Sequence, residues 1–217
     1  MMVFTYIYQD FENDISSTHQ LRASVARLGL ELVNVADSPH HHGNGHVLRL
    51  LYQAYKEASG PIVYADGADS YFLRAPVVPT DHILYSTEKA IWPPVPELIE
   101  AWNEQPKETP WCYLNGGGYC GPAELIVAFF ERYGLNSQPS EANGQWQQAQ
   151  AYMQSIKDGF PIKLDQRCTE FQTIGFADPG DFSSENGILT NNRTGTQPAV
   201  IHGNGRTPMG WVYGIDK

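Results

Sequence analysis

Positive charge is scarce in this chain. Its 217 residues carry 14 lysines and arginines against 24 acidic residues, a formal net charge of −10. Such a surface disfavours nonspecific attachment to nucleic acid or anionic membranes, although a local basic groove would survive that argument. Long apolar runs are missing too: none approaches the roughly 18 residues that a membrane span needs. The opening MMVFTYIYQD has no basic stretch leading into a long apolar one, so no secretory leader is read there. Cysteine is sparse. Cys112, Cys120 and Cys168 read as reduced thiols of a cytoplasmic protein, which excludes a disulfide framework. No segment longer than the tetrapeptide HGNG repeats.

Apolar material is plentiful, with 41% hydrophobic and 12% aromatic residues, enough for a packed core. The first half alternates in kind. MVFTYIY, LELVNV, PIVYAD and HILYST read as strands. SSTHQLRASVARLG and GHVLRLLYQAYKEASG read as helices, the first capped by Ser16 or Ser17, each ended by a glycine. Strand, helix, strand, helix, strand is the signature of an α/β fold: a mainly parallel sheet with helices on both faces. The second half is less regular. GPAELIVAFFERYG and the stretch after Gly144 read as helices, PIKL, EFQTIGF and PAVIH as short strands, and 178–192 as a loop. A single domain is expected over 1–217.

In such sheets ligands sit beyond the carboxyl ends of the strands, which is where Asp66 and Asp69 fall, in YADGADSYF. Two carboxylates on a tight turn suit Mg²⁺ or Mn²⁺; a solvated acidic turn is the plainer reading. In VIHGNGRTP, His202 offers an imidazole that favours Mn²⁺, while the glycines and Arg206 suit an anion. Taken alone, that stretch is equally an ordinary glycine turn. The earlier HHHGNGH invites a zinc reading through His40, His41, His42 and His46. Consecutive histidines diverge, however, and a loop before a helix is the simpler account. Cys120 and His202 form a conceivable nucleophile pair with no third orienting residue, so a cysteine or metal hydrolase ranks far behind.

In order along the chain stand D-x-x-D after the third strand, then STEKAIWPP, YLNGGG, IKLDQRCTEFQ and VIHGNG. This pattern resembles the glycosyltransferase domain of the procollagen lysyl hydroxylases and their bacterial and viral relatives, from about Val3 to about Tyr213. The resemblance implies a GT-A nucleotide-sugar transferase fold, with 1–90 as a nucleotide-binding half and 91–217 as a sugar and acceptor half. It implies Asp66, Asp69 and His202 as ligands of Mn²⁺ (or Mg²⁺). Thr5 and Tyr6 match positions near the base, Gly205 a position beside the phosphates, Trp92 the tryptophan near the sugar, and Asn115, Gly116 and Gly117 the loop around the donor sugar. The expected activity moves a hexose from UDP-glucose or UDP-galactose to a hydroxyl-bearing acceptor.

Three departures stand out. The family's terminal lysine of HGNGPTK is Pro208 here, with Arg206 as the nearby charge. The serine of its LNSGG is Gly116. Its paired aspartates before a glutamine are Asn143 and Gly144 before Gln145, and neither Asn nor Gly serves as a general base. Glu141 or Asp165 is the candidate substitute, a retaining reaction without a conventional base is another route, and a nucleotide-sugar-binding protein without catalysis is the alternative function.

Overall fold

The computed structural model of the chain describes residues 1–8, 15–67 and 69–215. The elements run β1 (Met2–Thr5), α1 (Ile15–Arg27), β2 (Glu31–Asn34), α2 (Asn44–Glu57), β3 (Pro61–Ala65), β4 (Ser70–Phe72), β5 (Ile83–Glu88) and α3 (Pro96–Asn103). They continue with β6 (Tyr113–Pro122), α4 (Ala123–Arg132), α5 (Gly144–Lys157), β7 (Ile162–Leu164), β8 (Phe171–Thr173), β9 (Phe182–Glu185), β10 (Ile188–Asn191) and β11 (Val200–His202). The α/β expectation holds. The main sheet has the order β2-β1-β3-β6-β5-β7. Its pairs β1/β2, β1/β3 and β5/β7 are parallel, and β6 runs antiparallel between β3 and β5.

Both faces of this sheet are covered, and the strand sequences show why. Successive side chains point to opposite faces, so a strand buried on both sides needs apolar residues at every position. Val3, Val63, Ala65 and Cys120 face one core with Leu21 and Val25 of α1. Their neighbours Phe4, Ile62, Tyr64 and Tyr119 face the other, with Leu48, Leu51 and Tyr55 of α2 and Phe129 and Phe130 of α4. In that second core Tyr119 stacks on Tyr64 at 4.9 Å between ring centroids, and its hydroxyl lies 2.8 Å from that of Tyr55. The Tyr55 and Tyr119 hydroxyls thereby give each other a polar partner. No helix is long and apolar enough to cross a membrane among the described residues.

A smaller sheet, β4-β11-β8, carries the site. Strand β11 pairs antiparallel with β4, setting His202 opposite Ser70, and parallel with β8, setting His202 opposite Thr173. The end of the chain is thus laid beside the D-x-x-D turn. Backbone bonds lock it there: Gly203 N–H donates to Asp69 O at 2.8 Å, and Ile174 N–H to His202 O at 3.0 Å.

Two elements differ from the sequence reading. YLNGGGYCGP is not a loop leading into a helix; it is β6, the strand inserted between β3 and β5. Glycine has low strand propensity, but here bulk is excluded: a Cβ on Gly117 would fall 2.1 Å from the His202 ring. The stretch 178–192 holds a hairpin of β9 and β10. Its turn is Asn186–Gly187, both at positive φ (52° and 79°), the dipeptide that two-residue hairpins favour.

Candidate functional site

The carboxyl ends of β3, β5 and β11 open into one cleft of about 1530 Å³. Asp66 follows β3 directly, its N–H bonded to Gly117 O at 2.9 Å. Asp69 precedes β4, and His202 ends β11. One ligand atom from each of Asp66, Asp69 and His202 lies within 4.8 Å of the other two.

The imidazole is held in one orientation. His202 Nδ1 is 3.0 Å from Asn115 Oδ1, and that oxygen also accepts the Gly117 N–H at 3.0 Å. An oxygen that accepts a backbone N–H requires Nδ1 to be the donor, which turns Nε2 toward the acidic turn. A partner on one ring nitrogen fixing the other as a ligand is the usual arrangement behind a metal-binding histidine. Nε2 lies 3.0 Å from Asp69 Oδ1. Asp69 Oδ1 is buried, and among the described residues this imidazole is its polar partner. Burial opposes charge on His202, but Asp69, then Asp66 and Glu88, outweigh it and push its pKa up to about 9. The pocket therefore draws positive charge.

A second group flanks this triad. Glu88 ends β5 and is 3% exposed. Burial pushes its carboxyl pKa up, against the hydrogen bonds it accepts. Oε1 accepts from Gln145 Nε2, and Oε2 accepts from Asn204 Nδ2 at 2.7 Å. Gln145 Nε2 also reaches Trp92 O at 3.3 Å, and its Oε1 accepts the Gly116 N–H at 3.3 Å. The sequence reading passed over Glu88, although it stands within STEKAIWPP. A glutamate at a strand end reads as solvated until the partners from α5 and the second HGNG are seen to cover it.

Most residues singled out from sequence line the cleft: Tyr6, Asp66, Asp69, Trp92, Asn115, Gly116, Gly117, Gln145, His202 and Gly205. Others do not. Thr5 is fully buried and absent from the lining. Asn143 caps α5 instead, its Oδ1 accepting the Trp146 N–H at 3.0 Å. Asp165 is caged: Oδ1 accepts from Thr169 N–H and Oγ1, and Oδ2 from the N–H groups of Glu170 and Phe171, at 2.7 to 2.9 Å. A carboxylate held by four donors braces a turn, and this one lies outside the cleft lining. Glu141 is exposed and outside the lining. The Arg206 side chain and Ser16 and Ser17 side chains lie outside what is described.

Cys120 sits in the apolar layer under β6, away from the cleft, and burial pushes its thiol pKa far up, which removes the nucleophile-pair reading. All three cysteines are free and buried. Among the described residues, the histidines of the first HGNG join no metal-binding group. His42 bonds Ser38 Oγ at 2.7 Å and His46 bonds Asp37 Oδ1 at 3.0 Å.

Comparison with known proteins bears on the family and the fold. No curated protein sequence matches the chain. Among solved structures, the chain is similar to a glycosyltransferase involved in the glycosylation of the major capsid of PBCV-1. The TM-score is 0.51 and the identity 10%, over 94% of this chain and 92% of that one. At that identity the likeness speaks for the fold alone. The family described as the PLOD GT domain matches residues 5–211. With that match spanning nearly the whole chain, the protein belongs to the PLOD glycosyltransferase-domain family.

Proposed function

We propose that the chain transfers a hexose from a uridine diphosphate sugar, glucose or galactose, to an acceptor hydroxyl. Asp66, Asp69 and His202 hold a divalent cation, Mn²⁺ in preference to Mg²⁺ because one ligand is an imidazole. The observation that carries the reading is the convergence of two carboxylates and an oriented imidazole, with one ligand atom of each within 4.8 Å of the others. When bound, the cation supplies positive charge against the departing diphosphate.

The chain's own residues divide the remaining work. Tyr6, Tyr8 and His41, with rings packed at 5.3 to 5.9 Å, stand at the cleft wall formed by β1 and the start of α2, where a base would stack. Gly116 and Gly117 line the part of the cleft where the donor sugar would lie. Gly205 gives a turn beside the phosphates. Asn143 and Gly144 offer no base, and Asp165 lies outside the lining. Among the described lining residues, Glu88 is the carboxylate left over once Asp66 and Asp69 are assigned to the cation. It takes the acceptor proton as the acceptor oxygen bonds the anomeric carbon and the bond from that carbon to the diphosphate oxygen breaks. Its raised pKa makes it a stronger base than a solvated carboxylate. Free, buried thiols fit action in the cytoplasm.

The test is calorimetric titration of UDP with and without Mn²⁺, followed by release of hexose from UDP-glucose and UDP-galactose. Binding that strengthens with Mn²⁺ and vanishes in Asp69→Ala supports the assignment; equal binding without the metal overturns it. The absence of a carboxylate at Asn143–Gly144 favours one second reading, a binding protein without catalysis. Measurable turnover that is lost in Glu88→Gln removes that reading.

A further inference from the structure

Strand β1 ends at Thr5, but the chain beyond it still needs partners for its backbone. In the parallel ladder of β1 and β2 the last register pair is Thr5 and Asn34, closed by Val35 N–H on Thr5 O at 2.9 Å. On the other flank the register with β3 stops at Phe4 and Tyr64. Among the described residues no strand pairs with Ile7.

The Asn34 side chain takes the place of that strand. Ile7 N–H donates to Asn34 Oδ1 at 2.8 Å, and Asn34 Nδ2 donates to Ile7 O at 2.9 Å. A primary amide carries a carbonyl acceptor and N–H donors on one planar unit, as a peptide group does, so it meets both main-chain groups of a single residue. The same oxygen accepts Ala36 N–H at 3.3 Å, which holds the amide against its own strand.

Tidying a sheet edge would by itself explain these bonds. Three observations tie them to the cleft. Ile7 stands between Tyr6 and Tyr8, and all three line the cleft, whereas Asn34 does not. The rings of Tyr6 and Tyr8 pack on His41, which lies on the 35–43 connection that Asn34 opens. One residue therefore anchors both parts of this aromatic wall. Gly67, inside the D-x-x-D turn, closes on the same backbone: a Cβ there would fall 2.5 Å from Tyr6 O and from Ile7 Cγ1. The amide supplies the polar half of the grip and the glycine the steric half. A wall held in place before the ligand arrives spares the ligand the cost of ordering it.

Resting on the transferase reading above, we infer that Asn34 is a positioning residue for the base of the nucleotide donor. It acts through Ile7, fixing Tyr6 and Tyr8 so that their rings and His41 form a ready stacking surface.

The test is calorimetric titration of the full chain, with Mn²⁺, against UDP and against inorganic pyrophosphate, which has the phosphates and lacks the base. Asn34→Ala is expected to weaken UDP about fivefold, a loss of about 1 kcal/mol, and to leave pyrophosphate within about twofold. The Asn34 side chain is exposed, so both variants are expected to fold, and thermal melting checks this. Asn34→Asp is the second variant. It keeps an acceptor for the Ile7 N–H but sets a charge against the Ile7 carbonyl, and it is expected to weaken UDP at least as much while sparing pyrophosphate. Parent affinity for UDP in the variants overturns the inference. So does equal weakening of UDP and pyrophosphate, which would mean that Asn34 only braces the D-x-x-D turn or the fold. A parent chain that binds UDP no better than pyrophosphate overturns the transferase reading, and this inference with it, before any substitution is made.

Discussion

The chain contains HGNG twice, and the two copies have unrelated roles. In the first, His42–Gly45, the glycines serve packing. A Cβ on Gly43 would fall 2.0 Å from Ser140 O, and one on Gly45 would fall 1.8 Å from Pro139 O. Only Asn44 of that tetrapeptide reaches the cleft. In the second, His202–Gly205, the histidine faces the two aspartates, Asn204 braces Glu88, and Gly205 is open to the cleft with nothing within 4 Å of its Cβ position. Identical tetrapeptides thus take their roles from what the topology places beside them. One abuts the 138–140 segment ahead of α5, and the other is zipped against β4.

The sharpest way to break this contrast is to remove each histidine. His202→Ala is expected to weaken Mn²⁺-dependent UDP binding at least about 100-fold, on the scale of lost ligation, while His42→Ala changes it less than twofold. Calorimetry on both decides. Next come the glycines. Gly45→Ala drives a methyl into a backbone carbonyl and is expected to cost about 2–3 kcal/mol of stability in urea unfolding. Gly205→Ala meets no atom and incurs only its left-handed backbone (φ +71°), about 1 kcal/mol. Equal losses would mean that the turns are equivalent after all.

Smaller still is the effect of the residues that orient each histidine. Asn115→Ala frees the His202 ring and is expected to lower Mn²⁺-dependent binding about 10-fold. Ser38→Ala, which removes the exposed partner of His42, leaves it unchanged. Acid supplies a control remote from both turns. Burial pushes the Asp181 carboxyl pKa up, but Arg193 and Lys89 outweigh this and hold it at about 2. A depressed folded-state value stabilises above the unfolded value, and that contribution is lost as pH falls through the folded one. Melting temperatures should therefore drop from about pH 4 to pH 2 by more in the parent chain than in Asp181→Asn.

What could be read in advance follows a physical line. The βαβαβ opening was legible because two-sided burial writes itself as unbroken apolar strands, and Asp66 because it follows one. The triad needed the family resemblance, since no local spacing relates His202 to the D-x-x-D turn. Strand β6 was hidden because its glycines answer to neighbours, the His202 ring and Phe171, and not to strand propensity. The β9–β10 hairpin did carry a local signal, Asn186–Gly187, within a polar stretch taken for loop. Asp165 misled in the opposite direction: a carboxylate in a motif looks chemical until four donors are found around it.

The pairing of β4 with β11 has a consequence for how the protein reaches its working state. His202 lies more than a hundred residues after the D-x-x-D turn, so the proposed cation site closes a very long loop. Long-range closure carries its entropic cost before any local contact rewards it. A form in which β11 has not yet paired with β4 lacks the site. On the proposed reading, metal affinity would be a certificate of completed assembly, and an ion bound there would clamp two segments distant in sequence.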